Sequence, residues 1–330
     1  MPNAVEFLEI GSVRTTNVLY FTGGLRAVET ADRGLALLPL RGEGELVTLY
    51  DLTWPALHTL ARECGSRFVG YNQEFDGKGV SEAFWNPGIG RLSKGLFAAD
   101  LWGAISSNSD ASGYADYARA ARSVSTSLTS AGHRMRDLSV HHHQQLCWAV
   151  ADREPESSFS NLPLSDIYRD FQAVATDLCS ARDYLAKVAS FHLGLNESAD
   201  SMARLEGAVG RKVDKLLDPI ARHLFANWGT KTDPKWLREL GDMRNKLVHR
   251  LPMAVDPHTR LLRLHSHSTS RGMVETIRLS ASRHEHGKPA GRADPFVLFS
   301  EMYDRVERLC SVTAGFAKHP GDLPTFQAGG

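Results

Sequence analysis

The C-terminal half of the chain is organised around one segment, Trp236-Leu-Arg-Glu-Leu-Gly-Asp-Met-Arg-Asn-Lys-Leu-Val-His-Arg-Leu251, which Pro252 follows. Its apolar residues recur at intervals of three or four positions: Leu240, Met243, Leu247 and Leu251. This spacing places them on one face of an amphipathic helix. Because a proline disfavours the helical conformation for the residue before it, we expect the helix to end near Arg250.

The last turn of this predicted helix carries His249. Carbonyl groups at a helix end lack partners within the helix, and the negative end of the helix dipole favours a cation there. A histidine in this place titrates near neutrality, which suits acid–base chemistry. Arg244 would lie beside the apolar stripe, and Asn245 and His249, four residues apart, would share the open face.

The segment Arg244-Asn-Lys-Leu-Val-His249 resembles the Arg–polar–x3–His motif of the HEPN superfamily (higher eukaryotes and prokaryotes nucleotide-binding). The same Arg-x4-His spacing occurs at Arg260/His265 and in Arg136-Asp-Leu-Ser-Val-His141. The latter also has a polar residue after its arginine, so it is either a second motif or a charged helix face. Only the segment beginning at Arg244 lies late in a run of predicted amphipathic helices, so the helical context selects it.

The resemblance covers roughly residues 160 to 318 and implies a four-helix bundle. It implies a metal-independent endoribonuclease of the toxin or phage-defence type, which cleaves single-stranded RNA or tRNA without a cofactor. Members of this kind dimerise with their motif helices facing each other. The implied catalytic site therefore combines Arg244, Asn245 and His249 of two protomers, and such a protein leaves room for an antitoxin or another regulatory partner.

The chemistry of RNA cleavage agrees with this set of residues. Without a metal, the reaction needs a base for the 2′-hydroxyl proton, an acid for the leaving 5′ oxygen and a cation for the charge on phosphorus. One histidine per chain fills only one proton role, whereas a twofold dimer supplies two. The planar guanidinium of Arg244 binds phosphate through paired hydrogen bonds, and Asn245 would orient either the phosphate or His249.

Two other functions stay open. In the first, the C-terminal region is a noncatalytic HEPN-like module that binds nucleotide, RNA or a protein; Arg244 then pairs with a carboxylate and His249 only ends a helix. In the second, the chain is a metal-dependent hydrolase using histidines at alternate positions of a strand, His265-Ser-His267 or His284-Glu-His286. The run His141-His-His143 cannot bind one metal through all its rings, because successive helical residues point about 100° apart.

The chain is neutral as a whole, with 38 Lys and Arg residues against 38 Asp and Glu residues, so any RNA surface must be a local patch. Residues 250 to 293 hold more basic than acidic side chains. We expect this region to bind the RNA backbone in a salt-dependent way, the alternative being a solvated loop surface. The arginines expected to bind RNA are Arg250, Arg260, Arg263, Arg271 and Arg278.

The cysteines and the N-terminus predict a cytoplasmic protein. Four cysteines lie far apart and form no CxxC pair: Cys64, Cys147, Cys179 and Cys310. Residues 1 to 6 lack the basic and apolar regions of a secretory signal, so we expect reduced thiols. No apolar run is long enough to span a membrane. Gly88-Ile-Gly90 does not complete a phosphate-binding fingerprint, so no nucleotide cofactor is expected.

The residue patterns predict an α+β protein in three parts: an N-terminal α+β domain with mixed strands and helix over residues 1–110, a helical connector over 111–155, and a mainly helical HEPN-like domain over 156–320 with an inserted β-hairpin. Short apolar runs over residues 5–10, 18–21, 34–38 and 45–50 predict strands. Thr53 and Pro55 predict the start of a helix, and residues 70–95 are predicted to be rich in loops.

Residues 112–152 are predicted to be helical, with a break near Gly132. A long helix should follow from about 165 to 193. A second runs from about 200 to Trp228, kinked or restarted at Pro219. Asp233-Pro234 is predicted to cap the motif helix and Asp294-Pro295 the last helix. Between these two helices, residues 260–265 and 273–279 are predicted to pair as a hairpin with its turn over residues 268–272.

Overall fold

The chain is an α+β protein, as its sequence predicts: an antiparallel sheet with a helix comes first, and a mainly helical region with a β-hairpin follows. The computed structural model describes residues 8–10, 13–30, 34–43, 45–77, 80–88, 96–195, 199–210, 218–245, 262–279 and 294–322. The expected HEPN-like arrangement of the helices stays a prediction.

The first sheet contains the described strands β1 Leu8–Ile10, β2 Val13–Phe21, β3 Arg26–Glu29, β4 Leu35–Arg41, β5 Leu46–Leu52, β6 Phe68–Gly77 and β7 Val80–Pro87. They pair in the order β5-β4-β3-β2-β6-β7, with β1 added to β2, and every pair is antiparallel. Val18, Tyr20 and Val28 form a buried cluster on β2 and β3, against which Leu38 and Trp85 pack. Leu19 and Phe21, which alternate with them along β2, are buried as well, so the centre of the sheet is apolar on both faces.

The prediction of loops over residues 70–95 is wrong up to residue 87, because β6 and β7 form a regular hairpin there. Their register runs from the pair Gly70 and Pro87 to the pair Gly77 and Val80. Polar residues in the middle of β6 obscure the alternation of a strand. Pairing with β2 on one side and β7 on the other supplies the hydrogen bonds that local propensity does not predict. β3 was likewise not predicted.

The described helices are α1 Trp54–Glu63, α2 Ala98–Ala111, α3 Ala115–Asp152, α4 Leu164–His192, α5 Met202–Val209, α6 Pro219–Trp228, α7 Trp236–Asn245 and α8 Pro295–Ala314. The start of α1 is as predicted. The hydroxyl of Thr53 accepts a hydrogen bond from the Ala56 amide at 3.4 Å, and Pro55 lies in the first turn. This side-chain cap satisfies one of the amides that a helix start leaves unpaired.

The predicted break near Gly132 is wrong, because α3 continues through it from residue 115 to residue 152. A glycine inside a helix costs about 1 kcal/mol relative to alanine. The neighbouring side chains Leu128, Ala131 and Met135 are fully buried. Burial of large apolar side chains stabilises by roughly 1.5–3 kcal/mol each, so packing outweighs the weak local preference.

The predicted apolar faces of two long helices are confirmed. All six predicted core residues of α4 are fully buried: Ile167, Phe171, Val174, Leu178, Leu185 and Val188. The predicted inward residues of α8 are buried as well: Phe296, Phe299, Met302, Val306 and Leu309. Asp294 caps α8 as expected, since its Oδ1 accepts a hydrogen bond from the Phe296 amide at 3.1 Å.

The predicted helix from about 200 to 228 is divided between α5 and α6, and residues 211–217 lie outside the described chain. α6 starts at Pro219, so the chain restarts its helix there. Asp218 Oδ1 accepts a hydrogen bond from the Ala221 amide at 2.8 Å and caps this start. Gly229 follows α6 with a φ of +67°, which favours glycine.

The predicted cap of the motif helix is wrong, because α7 begins at Trp236. The Asp233 carbonyl instead accepts a hydrogen bond from the Thr230 amide at 3.0 Å, and Pro234 pairs with Gly229 in an isolated bridge. These contacts make a compact turn between α6 and α7. The Asp-Pro pair completes that turn and does not enter the helix.

The predicted hairpin is confirmed with a tighter turn. Its strands are β9 Leu262–Thr269 and β10 Gly272–Leu279, and β8 Ser158–Phe159 pairs with β9 to give the order β10-β9-β8. Thr269 pairs with Gly272, which leaves only Ser270 and Arg271 in the turn.

Two compact units divide the chain. The first unit comprises residues 1–89, 132–171 and 251–300; the second comprises 90–131, 172–250 and 301–330. In the first unit, a 3.0 Å ion pair between Arg41 and Glu275 joins β4 to β10. In the second, the Ala98 amide donates to Glu307 Oε1 at 2.6 Å and joins α2 to α8. The domain boundaries expected at residues 110 and 155 stay predictions.

The four cysteines are free thiols: Cys64, Cys179 and Cys310 are buried and Cys147 is partly exposed. Among the described helices, none is long and apolar enough to cross a membrane.

Candidate functional site

The described part of the motif lies at the end of α7. Leu237 and Leu240 are fully buried and anchor this helix through the face that the sequence predicts. Arg244, one turn after Leu240, is partly exposed, and Asn245 is exposed. Arg244 Nη1 donates a hydrogen bond to Asn245 Oδ1 at 2.8 Å. His249 lies outside the described residues, so its place in the site stays a prediction.

The Arg244 guanidinium meets no carboxylate within the part of the chain that the structure describes. Its positive charge affects the pKa of Cys179 on the neighbouring helix α4. Burial raises the pKa of the Cys179 thiol there, and the positive charges of Arg182 and then Arg244 oppose that rise. Among the described residues, the acceptor of the Arg244 side chain is the neutral amide of Asn245.

A cluster of arginines around Trp228, which was not predicted from the sequence, supports α7. Arg182 donates two hydrogen bonds to Asp183, at 3.0 and 3.1 Å, and lies 5.4 Å from the Trp228 ring. Arg238 lies 4.2 Å from the same ring and donates to Glu206 at 2.7 Å. A guanidinium over an aromatic face is attracted by the ring electrons. Since α4, α5, α6 and α7 each contribute a member, the cluster fixes α7 in the second unit.

Arg182 reaches α7 because Gly241 leaves room for it. A Cβ atom at position 241 would lie 2.7 Å from Arg182 Nη1, which itself lies 3.5 Å from the Leu237 carbonyl oxygen. The sequence carries a signal for this contact. Arg182 follows Leu178 by four residues and precedes Leu185 by three, so it lies on the apolar face of the predicted helix. An arginine in that position requires a buried partner.

The hairpin arginines occupy different environments. Arg278 Nη2 donates to the Cys64 carbonyl at 3.1 Å and so ties the hairpin to the end of α1. Arg263, the register partner of Arg278, forms an exposed 3.0 Å ion pair with Glu156. Arg271 lies exposed in the turn, and its guanidinium has no partner among the described residues. Arg250 and Arg260 lie outside the described chain.

The described hairpin histidines are held by protein groups. His267 Nε2 is hydrogen-bonded to Thr276 Oγ1 at 2.9 Å, and His265 Nδ1 lies 3.4 Å from Glu156 Oε2. Burial lowers the pKa of both imidazoles. Within the described ranges, no three His, Cys, Asp or Glu side chains are arranged to bind a metal. His284 and His286 fall outside those ranges.

The three consecutive histidines of α3 fan out as predicted for a helix. His142 is fully buried, and its ring centroid lies 4.3 Å from that of Phe296. His143 is buried and donates to the Gly24 carbonyl at 3.0 Å. Burial lowers the pKa of both residues to about 4, so both are neutral core histidines at pH 7. Only His141 is partly exposed.

The second Arg–polar–x3–His segment differs from the motif on α7. Arg136 donates hydrogen bonds of 3.1 and 2.9 Å to the carboxylate of its neighbour Asp137, which also pairs with Arg134 at 3.7 Å. His141 Nδ1 donates to the buried carboxylate of Asp170 at 2.7 Å. That hydrogen bond raises the pKa of His141, with further contributions from the charges of Asp170, Asp166 and Asp137, against the effect of burial.

Comparisons with known proteins find no protein-family model, curated protein or solved structure that matches this chain. The candidate site therefore depends on the residues and contacts described above.

Proposed function

We propose that this chain is a metal-independent endoribonuclease that cleaves single-stranded RNA or tRNA as a homodimer, in the role of a toxin or phage-defence effector. One observation carries the proposal. The partly exposed guanidinium of Arg244 is bonded to the neutral amide of Asn245 and meets no carboxylate in the described chain. A purely structural arginine at this position would be expected to pair with an acid, as Arg136 pairs with Asp137 on α3.

The proposed reaction transfers one proton in each direction. A neutral His249 accepts the proton of a ribose 2′-hydroxyl, and the 2′ oxygen attacks the adjacent phosphorus. The bond from phosphorus to the 5′ oxygen breaks, and a protonated His249 of the second protomer donates a proton to that oxygen. Arg244 stabilises the negative charge that develops on the phosphoryl oxygens. The products carry a 2′,3′-cyclic phosphate and a free 5′-hydroxyl.

The dimer follows from the number of proton-transfer groups. The motif supplies one histidine per chain, whereas the reaction requires an acid and a base. A twofold contact along the motif helix would bring together the same residues from both protomers. Two arginines could then share one phosphate, which compensates for their partial removal from water.

The first experiment is cleavage of labelled single-stranded RNA and of tRNA in excess EDTA. We expect products with 2′,3′-cyclic ends, and loss of cleavage in Arg244→Ala and His249→Ala. Arg204→Ala is the matched control, because Arg204 is an exposed arginine of the second unit that pairs with Asp200. Wild-type protein that binds RNA without cleaving it would favour the noncatalytic module, and cleavage that requires added metal would favour the hydrolase.

A second experiment tests the composite site. Refolded mixtures of Arg244→Ala and His249→Ala chains contain heterodimers with one intact arginine and one intact histidine. Because the proposed reaction needs both histidines, we expect these mixtures to stay as inactive as each variant alone; recovered activity would show that one histidine is sufficient. Sedimentation of the wild-type protein at micromolar concentration should show a dimer; a monomer that cleaves RNA at the full rate would refute the composite mechanism.

A further inference from the structure

The first sheet has β5 as one of its edges. Among the described strands, β5 pairs only with β4, so one side of its backbone has no partner strand. A strand at a sheet edge presents a row of amide and carbonyl groups with which a further strand can pair. β5 is seven residues long, the length of an ordinary strand, so it can accept such a neighbour along its whole length.

The side chains of β5 are apolar for an exposed edge. Leu46 is 42% exposed, Val47 37% and Tyr50 47%. The strand contains no lysine or proline, which commonly protect edge strands from pairing. Two register shifts interrupt its pairing with β4, but Leu46 and Val47 lie in the regular part. The edge therefore offers apolar surface together with unpaired backbone.

Carboxylates stand at both ends of this apolar stretch. Glu43 and Glu45 precede it and Asp51 ends it, and all three residues are exposed. Within the described chain, none of the three side chains forms an ion pair or a hydrogen bond. The nearby cation Arg41 is already held by Glu275, at 3.0 Å. The edge thus carries negative charge that the described residues do not compensate.

These charges argue against a second copy of the chain as the partner. Twofold antiparallel pairing of β5 with itself would bring Glu43 and Glu45 of one copy toward Asp51 of the other, at both ends of the contact. Like charges opposed across neighbouring strands are destabilising. A partner strand with cations on both sides of an apolar centre meets no such repulsion. It can pair in either direction, because β5 is acidic at both ends.

We propose that β5 is a docking edge for an extended segment of another protein, in which a short apolar run is flanked by lysine or arginine. The segment adds to the sheet beside β5 and is held by main-chain hydrogen bonds, while its apolar side chains cover those of the edge. Its flanking cations pair with Glu43, Glu45 and Asp51. This docking does not depend on the proposed cleavage of RNA, whose phosphates the acidic edge would repel.

The test uses short fluorescein-labelled peptides in which valine alternates with threonine. Fluorescence anisotropy with the whole chain at low ionic strength measures their dissociation constants. A peptide with lysines at both ends should bind at least about tenfold more tightly than the same peptide with glutamates there. If neither peptide binds, the acids only keep the edge from pairing, and the proposal is overturned.

A third peptide distinguishes strand addition from attraction between charges alone. It keeps the lysines and the side chains but carries a methyl group on each central amide nitrogen, so it cannot donate main-chain hydrogen bonds. We expect no binding of this peptide. Affinity equal to that of the unmethylated lysine peptide would refute the addition of a strand.

Reversal of charge on the protein tests the placement of the cations. Glu43→Lys combined with Glu45→Lys should weaken binding of the lysine peptide about tenfold and strengthen binding of the glutamate peptide. The gain for the glutamate peptide cannot result from unfolding. The matched control is Asp110→Lys combined with Asp233→Lys, which changes two exposed acids of the second unit and the net charge by the same amount. Equal effects of the two double variants would overturn the proposal.

Hydrogen exchange of the wild-type chain, followed by mass spectrometry, locates the peptide without any variant. The amides of residues 46–52 should exchange more slowly when the lysine peptide is bound, because those at the open edge gain acceptors. Slower exchange confined to other segments would overturn the assignment to β5. Slower exchange of residues 46–52 at rising protein concentration, without peptide, would identify a second copy as the partner and overturn it as well.

Discussion

Arg244 and Asn245, consecutive residues at the described end of α7, are joined by a 2.8 Å hydrogen bond from the guanidinium Nη1 to the amide Oδ1. The acceptor carries no charge, so the pair keeps a net positive charge. On α3, the corresponding arginine Arg136 is instead paired with the carboxylate of Asp137, which also pairs with Arg134 at 3.7 Å. Two segments with the same residue pattern therefore offer an anionic ligand different electrostatic environments.

This difference predicts the effect of replacing Asn245 by aspartate. Asn245→Asp would neutralise Arg244 and should weaken RNA binding about tenfold at low salt, because a charge-assisted contact to phosphate is lost. Asn245→Ala should retain most of the affinity, since the guanidinium keeps its charge. The dissociation constants of both variants can be measured by fluorescence anisotropy with a labelled 2′-O-methyl RNA, which lacks the attacking hydroxyl and cannot be cleaved. If Asn245→Asp bound RNA as tightly as the wild type, Arg244 would not contact the phosphate backbone.

The hairpin arginines are predicted to separate into RNA-binding and structural residues. Exposed Arg263 and Arg271 should contribute to binding, so changing both to glutamate should weaken RNA affinity and flatten its salt dependence without lowering the melting temperature. Arg278→Glu should instead lower the melting temperature, because the carboxylate cannot donate to the Cys64 carbonyl. Binding titrations across a salt series and thermal melts distinguish the two effects. If the slope of log affinity against log salt concentration is the same in the double variant and the wild type, the hairpin does not bind RNA.

Gly24 is predicted to be required for packing. Its φ is +84°, and a Cβ atom there would lie 2.7 Å from the backbone oxygen of His142 on α3. Gly24→Ala should lower the free energy of unfolding by about 3 kcal/mol, from roughly 1–2 for the left-handed backbone and 1–3 for the collision. Gly113 has a similar φ of +81° but open space around it, so Gly113→Ala should cost only the backbone contribution, about 1 kcal/mol.

Denaturant titration of the two variants measures this difference. Each variant is compared with the wild type for the free energy of unfolding of the unit that contains the changed glycine. If both variants lose the same free energy of unfolding, the packing of Gly24 against the backbone of α3 does not require a glycine.

We expect the free energy of unfolding to fall as the pH rises, because of the buried carboxyl of Glu307. Burial raises the pKa of this carboxyl from 4.5 to about 7, assisted by the charge of Asp100 and opposed by the hydrogen bond from the Ala98 amide. The folded state thus binds the proton more tightly than the unfolded state. The stabilising contribution is complete below about pH 4.5 and is lost as the pH rises to about 7, a change of about 3 kcal/mol.

Glu307→Gln should remove this pH dependence, because the amide oxygen can still accept the hydrogen bond from Ala98 and carries no charge. Urea denaturation of wild type and variant between pH 4.5 and 8 measures the difference, which should be greatest at the upper end. Parallel stability curves for the two proteins would show that Glu307 does not titrate in this range.

Regular spacing allowed much of the helical structure to be predicted. The apolar positions of α4 and α8 recur every three or four residues, and all those named as core residues are buried. The caps of α1 and α8 were also predictable, because a short polar side chain followed by proline favours a helix start within a few residues. In the candidate site, the same spacing placed Arg244 beside the buried stripe of α7 and is consistent with its partial exposure.

Local pattern did not predict contacts between residues distant in sequence. The polar centre of β6 becomes a strand because β2 and β7 pair with it, and α3 passes through Gly132 because the residues around it are buried. Arg182 meets α7 at Gly241, a separation in sequence that no helical periodicity spans. Residue spacing sets the face that a side chain occupies, whereas packing and hydrogen bonding across the chain set what that face contacts.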